Sequence, residues 1–229
     1  MRDRDIDDVL KRAAGASPDV DPALLDRIAR SIGGGLRPVT PLPPSWVLAS
    51  ALVVVCVAVA VAGAALLGPH GIQKMNATEI GLIFPVLGIL VWLAAAVYAG
   101  EMIPGSRRIV GPKMLAASGS LTLIAVFALL FHDYRTERFM PQGLTCLTAG
   151  LLHAIPAGLG SWLVLRRGFA VNGLAAGLAG GVLAGLAGVS MLELHCANFE
   201  APHVMLWHTA VLPLSGAAGA MLAWALGRK

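Results

Sequence analysis

The sequence predicts an all-α fold: a bundle of six transmembrane helices over residues 46–229, behind a short, partly helical N-terminal cytoplasmic segment over residues 1–45. Three observations carry this. The chain of 229 residues is 57% hydrophobic and only 13% charged, against about 25% charged in a soluble domain. Six stretches approach the roughly 20 mostly apolar residues that a membrane-crossing helix needs. The charges fall between those stretches, and seven of the 17 Lys and Arg lie within the first 37 residues. The formal charge of +4 then reflects orientation in a bilayer and argues for no direct nucleic-acid partner. Residues 1–30 hold no apolar run with a small-residue cleavage site, so the first span reads as a retained signal-anchor.

The expected spans are Trp46–Leu67, Ile80–Ala99, Lys113–Phe131, Cys146–Leu165, Val171–Leu194 and Val204–Leu226. The breaker run Pro38-Val-Thr-Pro41-Leu-Pro43-Pro44 precedes the first. Pro85, Pro156 and Pro213 lie inside spans, where neighbouring helices re-satisfy the freed carbonyls and kinks replace breaks. The loops assign an orientation. The side carrying the N-terminus, Arg107, Arg108, Lys113, Arg166, Arg167, Arg228 and Lys229 collects 14 basic residues, and the side carrying Lys74, Arg135 and Arg138 collects three. Positive loops stay in the cytoplasm, so both termini are expected there, and if the membrane is a bacterial inner one the opposite face meets an oxidising compartment. The fifth span repeats Gly173, Gly177, Gly181 and Gly185, a spacing that lets helix backbones approach closely. Packing within the chain is the first reading of this stripe, and a homodimer seam the second.

The N-terminal segment carries two amphipathic patterns. Ile6, Val9 and Leu10 fall on one face of Asp5–Ala14, and Leu24, Leu25, Ile28 and Ile32 on one face of Asp21–Ile32. Asp21 suits an N-cap and Pro22 the first helical position, and Gly33-Gly34-Gly35 stops the helix. Two helices of about ten residues build no core of their own. Their stripes lie on a membrane surface, on the bundle, or in the groove of a soluble partner. Mixed charge with several Asp disfavours the membrane surface.

Cys56 sits mid-span and reads as a small packing residue. Cys146 opens the fourth span and Cys196 follows the fifth, so the topology sets both at one membrane level on the outer face. Glu193, His195, Asn198, Glu200, His203 and His208 cluster beside them. Thiolate and imidazole suit zinc, copper or another heavy metal, making Cys146, Cys196, His195, His203 and His208 candidate ligands. The spacing matches no zinc-finger template. A structural disulfide, a redox- or metal-responsive pair of sensing thiols, and unrelated free thiols all stay open. Trp207 reads as an interfacial anchor. His153 and His208 lie inside spans, where an ionisable residue points to function.

The run Leu36-Arg37-Pro38-Val39-Thr40-Pro41-Leu42, six spans, one cysteine at each of two outer loops, and the closing Glu193-Leu-His195-Cys196, Pro202-His203-Val204 and Trp207-His208 together resemble the negative-regulator-of-sigma-F family. The resemblance implies a membrane anti-sigma factor, not an enzyme. It implies that the N-terminal segment holds an extracytoplasmic-function sigma factor away from RNA polymerase, and that metal or oxidative stress at Cys146 and Cys196 releases it. No His-x3-Cys-x2-Cys zinc motif occurs in the segment, so sigma binding falls to the two apolar stripes. Two other classes compete. A membrane thiol–disulfide oxidoreductase usually carries Cys-x-x-Cys, which is missing here. A metal or small-solute transporter places charges at the midplane of repeated halves, and the spans here are nearly free of charge.

Overall fold

A computed structural model describes Asp8, Lys11 and residues 21–33, 42–106 and 110–227. The chain divides into two compact units, residues 1–41 and 42–229. In the first, α1 spans Pro22–Gly33. The Asp21 carboxylate accepts the Ala23 N–H at 2.9 Å and caps the helix. Leu24, Leu25 and Ile28 remain 43%, 53% and 45% exposed. An aligned apolar face is therefore uncovered among the described residues. Ile6, Val9 and Leu10, and the side chain of Ile32, lie outside the described residues.

The second unit holds six helices long and apolar enough to cross a membrane: α2 (Ser45–Leu67), α3 (Ala77–Glu101), α4 (Pro112–Leu130), α5 (Phe139–Leu165), α6 (Gly173–His195) and α7 (Ala201–Leu226). No strand occurs among the described residues. Pro44 ends the breaker run, and its carbonyl accepts the first helical N–H groups of α2, from Val47 and Leu48. Gly68 stops α2 at φ +95°, a conformation only glycine adopts without strain. Asn76 and Glu79 form a reciprocal capping box at the start of α3. The helices run on through Pro85, Pro156 and Pro213.

Three helix starts precede the hydropathy reading by three residues or more: α3 begins at Ala77 instead of Ile80, and the other two bear on the site. Helix α5 begins at Phe139, so Cys146 lies about two turns inside it. The first turns hold Gln142 and Thr145, polar residues that hydropathy discounts, and Pro141 is tolerated where N–H groups have no helical partner. Helix α7 begins at Ala201, and its backbone takes a five-residue π turn over Val204–His208.

Helix α6 packs against all five other spans. Its glycine stripe explains how. A Cβ built on Gly177 would lie 2.5 Å from the Gly219 carbonyl oxygen, and one on Gly181 would lie 2.2 Å from the Ser215 carbonyl oxygen. A Cβ on Gly188 would lie 2.4 Å from the Gly150 carbonyl oxygen of α5. These distances are far inside van der Waals contact, so only glycine permits the approach. From Gly177 to Gly188 the stripe is used inside the chain, and a seam between two copies through Gly177 and Gly181 would have to displace α7.

Three loop contacts close the end of the bundle that carries Cys146 and Cys196. The Gly71 and Ile72 N–H groups donate to the Leu194 carbonyl at the end of α6, at 3.1 and 3.2 Å. The Ala201 N–H donates to the Asp133 carbonyl at 2.6 Å. Phe131 and Phe199 stack with ring centroids 5.2 Å apart.

Candidate functional site

Under those loops four side chains from three elements converge. Cys146 comes from α5, Cys196 from the end of α6, and His203 and His208 from the first turns of α7. One ligand atom from each lies within 4.8 Å of every other. The two Sγ atoms are 3.5 Å apart, and Cys196 Sγ is 3.6 Å from His203 Nε2. The two cysteines are free thiols. Cys146 is half-buried, Cys196 is buried, and His203 and His208 are 0% exposed.

The local backbone explains the convergence. His203 and His208 are five residues apart, which on a regular α-helix sets them about 140° apart around the axis. The π turn widens the coil and carries both to one side, with ring centroids 5.3 Å apart and planes at 76°. Single π turns inside α-helices are frequent at functional sites. Trp207, within that turn, lies against α5: a Cβ on Gly143 would fall 2.0 Å from its Nε1. Its ring is 5.4 Å from that of Phe139. Trp207 is therefore a buried wedge, 9% exposed, and not the interfacial anchor its sequence position suggests.

A fifth residue completes the arrangement. Glu193 sits in α6 with no exposed surface, and its Oε1 accepts the His208 Nδ1–H at 2.6 Å. A carboxylate buried in an apolar bundle is costly unless paired. This pairing also fixes the ring orientation of His208 and leaves its Nε2 facing the cluster, without a hydrogen-bond partner. Glu193 was part of the polar cluster visible in the sequence, but nothing local links it to His208. The one available signal is that both are ionisable residues in neighbouring apolar spans.

His195 is not part of the convergence. Its Nδ1–H donates to the Gly68 carbonyl at 2.8 Å, and its ring faces His70 with centroids 6.0 Å apart. Adjacent residues on a helix point about 100° apart, so His195 ties down the neighbouring loop while Cys196 turns inward. His153 donates its Nδ1–H to the Ala149 carbonyl of its own helix at 2.8 Å and packs over Gly63 of α2. Its hydrogen-bonding need is met locally.

Toward solvent the site borders a polar depression of about 530 Å³ lined by Glu79, Asp133, Arg135, Gln142, Asn198 and Glu200, among others. The Asn198 side-chain N–H donates to the Gln142 Oε1 at 2.7 Å, and the Cys196 thiol reaches the Asn198 carbonyl at 3.8 Å. The Arg135 guanidinium, hydrogen-bonded to Asp133, holds that carboxyl below its ordinary range. The depression thus carries three carboxylates and one guanidinium next to the half-buried Cys146 and the buried Cys196.

A protein-family model described as negative regulator of sigma F matches residues 33–228. The chain belongs to this family. No curated protein and no solved structure matches it. The family match takes in all six spans and every residue of the Cys–His cluster, and it begins after the apolar face of α1. Family membership makes the protein a negative regulator of a sigma factor.

Proposed function

We propose that the protein is a membrane-bound anti-sigma factor of a bacterial inner membrane, with both termini in the cytoplasm. It sequesters an extracytoplasmic-function sigma factor and releases it when Cys146 and Cys196 meet metal or oxidative stress. The single observation that carries the signal-input half is the contact of the two thiols, 3.5 Å apart, inside a loop-capped end of the bundle. A two-electron oxidant such as a peroxide would take two electrons and two protons from the pair and leave one S–S bond. A soft cation would instead displace the thiol protons and bind the thiolates.

The sigma-binding half rests on α1 and the segment around it. Leu24, Leu25 and Ile28 form a helical apolar face with no cover among the described residues. Such a face is the kind of surface an amphipathic helix lays into a partner's groove. Ile6, Val9, Leu10 and Ile32 extend the same reading from the sequence. The connection between the two halves is supported by α6. Glu193 and Cys196 stand at its end, and the helix touches every other span, so a change at the site acts on the element that organises the bundle.

The transporter and oxidoreductase readings gain no support. The ionisable residues that the spans bury together, Glu193 and His208, lie beside the cysteines at one end of the bundle and are paired with each other.

The test is co-purification of the full-length chain with the sigma factor encoded in its gene neighbourhood. Leu25→Asp with Ile28→Asp is expected to lose the sigma factor while the bundle remains intact by circular dichroism. Undiminished binding would contradict the assignment of the stripe.

A further inference from the structure

The four convergent side chains suit one kind of ligand better than any other. A tetrahedral zinc site has Zn–S near 2.3 Å and Zn–N near 2.0–2.1 Å, so its ligand atoms stand roughly 3.4–3.8 Å from one another. The Sγ–Sγ distance of 3.5 Å and the Sγ–Nε2 distance of 3.6 Å fall on such edges. The remaining separations lie within 4.8 Å. Small rotamer changes close the set around a central ion.

Electrostatics selects the charge of that ion. Three of the four side chains are buried, and a net charge there is expensive. Two thiolates offset a divalent cation, and the Glu193 carboxylate beside His208 leaves the set one unit negative, whereas a monovalent cuprous ion would leave it two units negative. Glu193 supplies the second layer typical of metal-bound histidine. By accepting the Nδ1–H of His208 it fixes the tautomer that presents Nε2 to an ion. Three features that packing leaves unexplained then have one cause: the π turn at Val204–His208, the buried carboxylate at Glu193, and the unpartnered Nε2 of His208.

We propose that Cys146, Cys196, His203 and His208 form a closed Cys2His2 site for a single divalent cation of the zinc class, with Glu193 as the positioning residue for His208. Binding releases the two thiol protons, and the ion and an S–S bond exclude each other because both use the same two sulfurs. The depression that carries Glu79, Asp133, Arg135 and Glu200 adjoins the site through Asn198, whose carbonyl meets the Cys196 thiol. That the site is the signal input rests on the function proposed above; that it binds metal does not.

The experiment uses the full-length chain in detergent, purified with reductant, loaded with zinc sulfate and desalted. Metal per chain is read by elemental mass spectrometry, and the geometry by the cobalt(II) absorption spectrum. The wild type is expected to hold one zinc per chain. Its cobalt form should show thiolate charge-transfer bands and the intense ligand-field bands of tetrahedral coordination. Cys146→Ser, Cys196→Ser and the His203→Ala, His208→Ala double variant should each fall well below one equivalent, with helical content retained by circular dichroism. Glu193→Gln should keep the cobalt spectrum but weaken zinc about 10–100-fold. His195→Ala should match wild type. A wild type with free thiols and no zinc, full zinc in the double histidine variant, or zinc loss in His195→Ala would each overturn the proposal. So would uptake of cuprous ion in place of zinc. Sigma-factor co-purification run on the same samples separates the two claims. A chain that binds sigma but no zinc refutes only the metal site, and one that binds zinc but no sigma refutes only the anti-sigma reading.

Discussion

Gly143→Ala is a one-methyl change that reaches the site through Trp207. In the native chain the Trp207 indole rests on Gly143, and an added Cβ would stand 2.0 Å from Nε1 and 2.1 Å from Cε2. Ordinary carbon contacts begin near 3.5 Å, so the ring must retreat by more than about 1 Å. It has little room, because it is 9% exposed and its other neighbours include Phe139. Overpacking of this kind costs about 1–3 kcal/mol. Trp207 immediately precedes His208 in the π turn, and Gly143 is one turn before Cys146 in α5. The displacement therefore separates the two sides of the cluster. Two assays read the effect. Denaturant unfolding in mixed micelles should show the loss of stability, and mild peroxide followed by mass spectrometry should show slower Cys146–Cys196 cross-linking. Gly88→Ala is the control: a Cβ there meets nothing within 4 Å, and alanine in a helix interior is favoured over glycine by about 0.5–1 kcal/mol. Wild-type stability and cross-linking in Gly143→Ala would refute the wedge and the site geometry built on it.

Two further predictions test the frame. Gly181→Ala sets a methyl 2.2 Å from the Ser215 carbonyl oxygen; backbone cannot swing aside, so stability should fall by about 1–3 kcal/mol, and unchanged unfolding would contradict the α6–α7 approach. Reporter fusions at the N-terminus and in the 132–138 loop should report cytoplasm and periplasm respectively, given the 14-to-3 division of basic residues, and the reverse result would invert the orientation.

The six spans were legible because length and apolarity are local properties of a sequence. Their first turns were less so. Phe139–Thr145 is helical in spite of Pro141, Gln142 and Thr145, since first-turn N–H groups need no helical acceptor, Gln142 bonds the Asn198 side chain of the capping loop, and the Thr145 hydroxyl donates to the Pro141 carbonyl of its own helix. That Cys146 and Cys196 share one end of the bundle followed from counting spans and loop charges; that their sulfurs touch did not. The selection among histidines did not follow. His195 adjoins Cys196 in sequence yet points to Gly68, while His203 and His208 share a side only through the π turn, which no residue pattern announces. The glycine stripe was readable as a close approach, but its partner, the Gly216–Gly219 region of α7, was not. Glu193 was visible as a charge in an apolar run, and only the fold gives it His208.

The most direct measurement of the central claim is transcription from a sigma-dependent reporter in cells carrying the Cys146→Ser, Cys196→Ser chain. The reporter should stay as silent as wild type without stress, because α1 and its segment are untouched. It should also fail to rise when cadmium, zinc or peroxide is added, because the outer pair is gone. A double variant that induces like wild type under each of these agents would contradict the assignment of Cys146 and Cys196 as the input of this negative regulator.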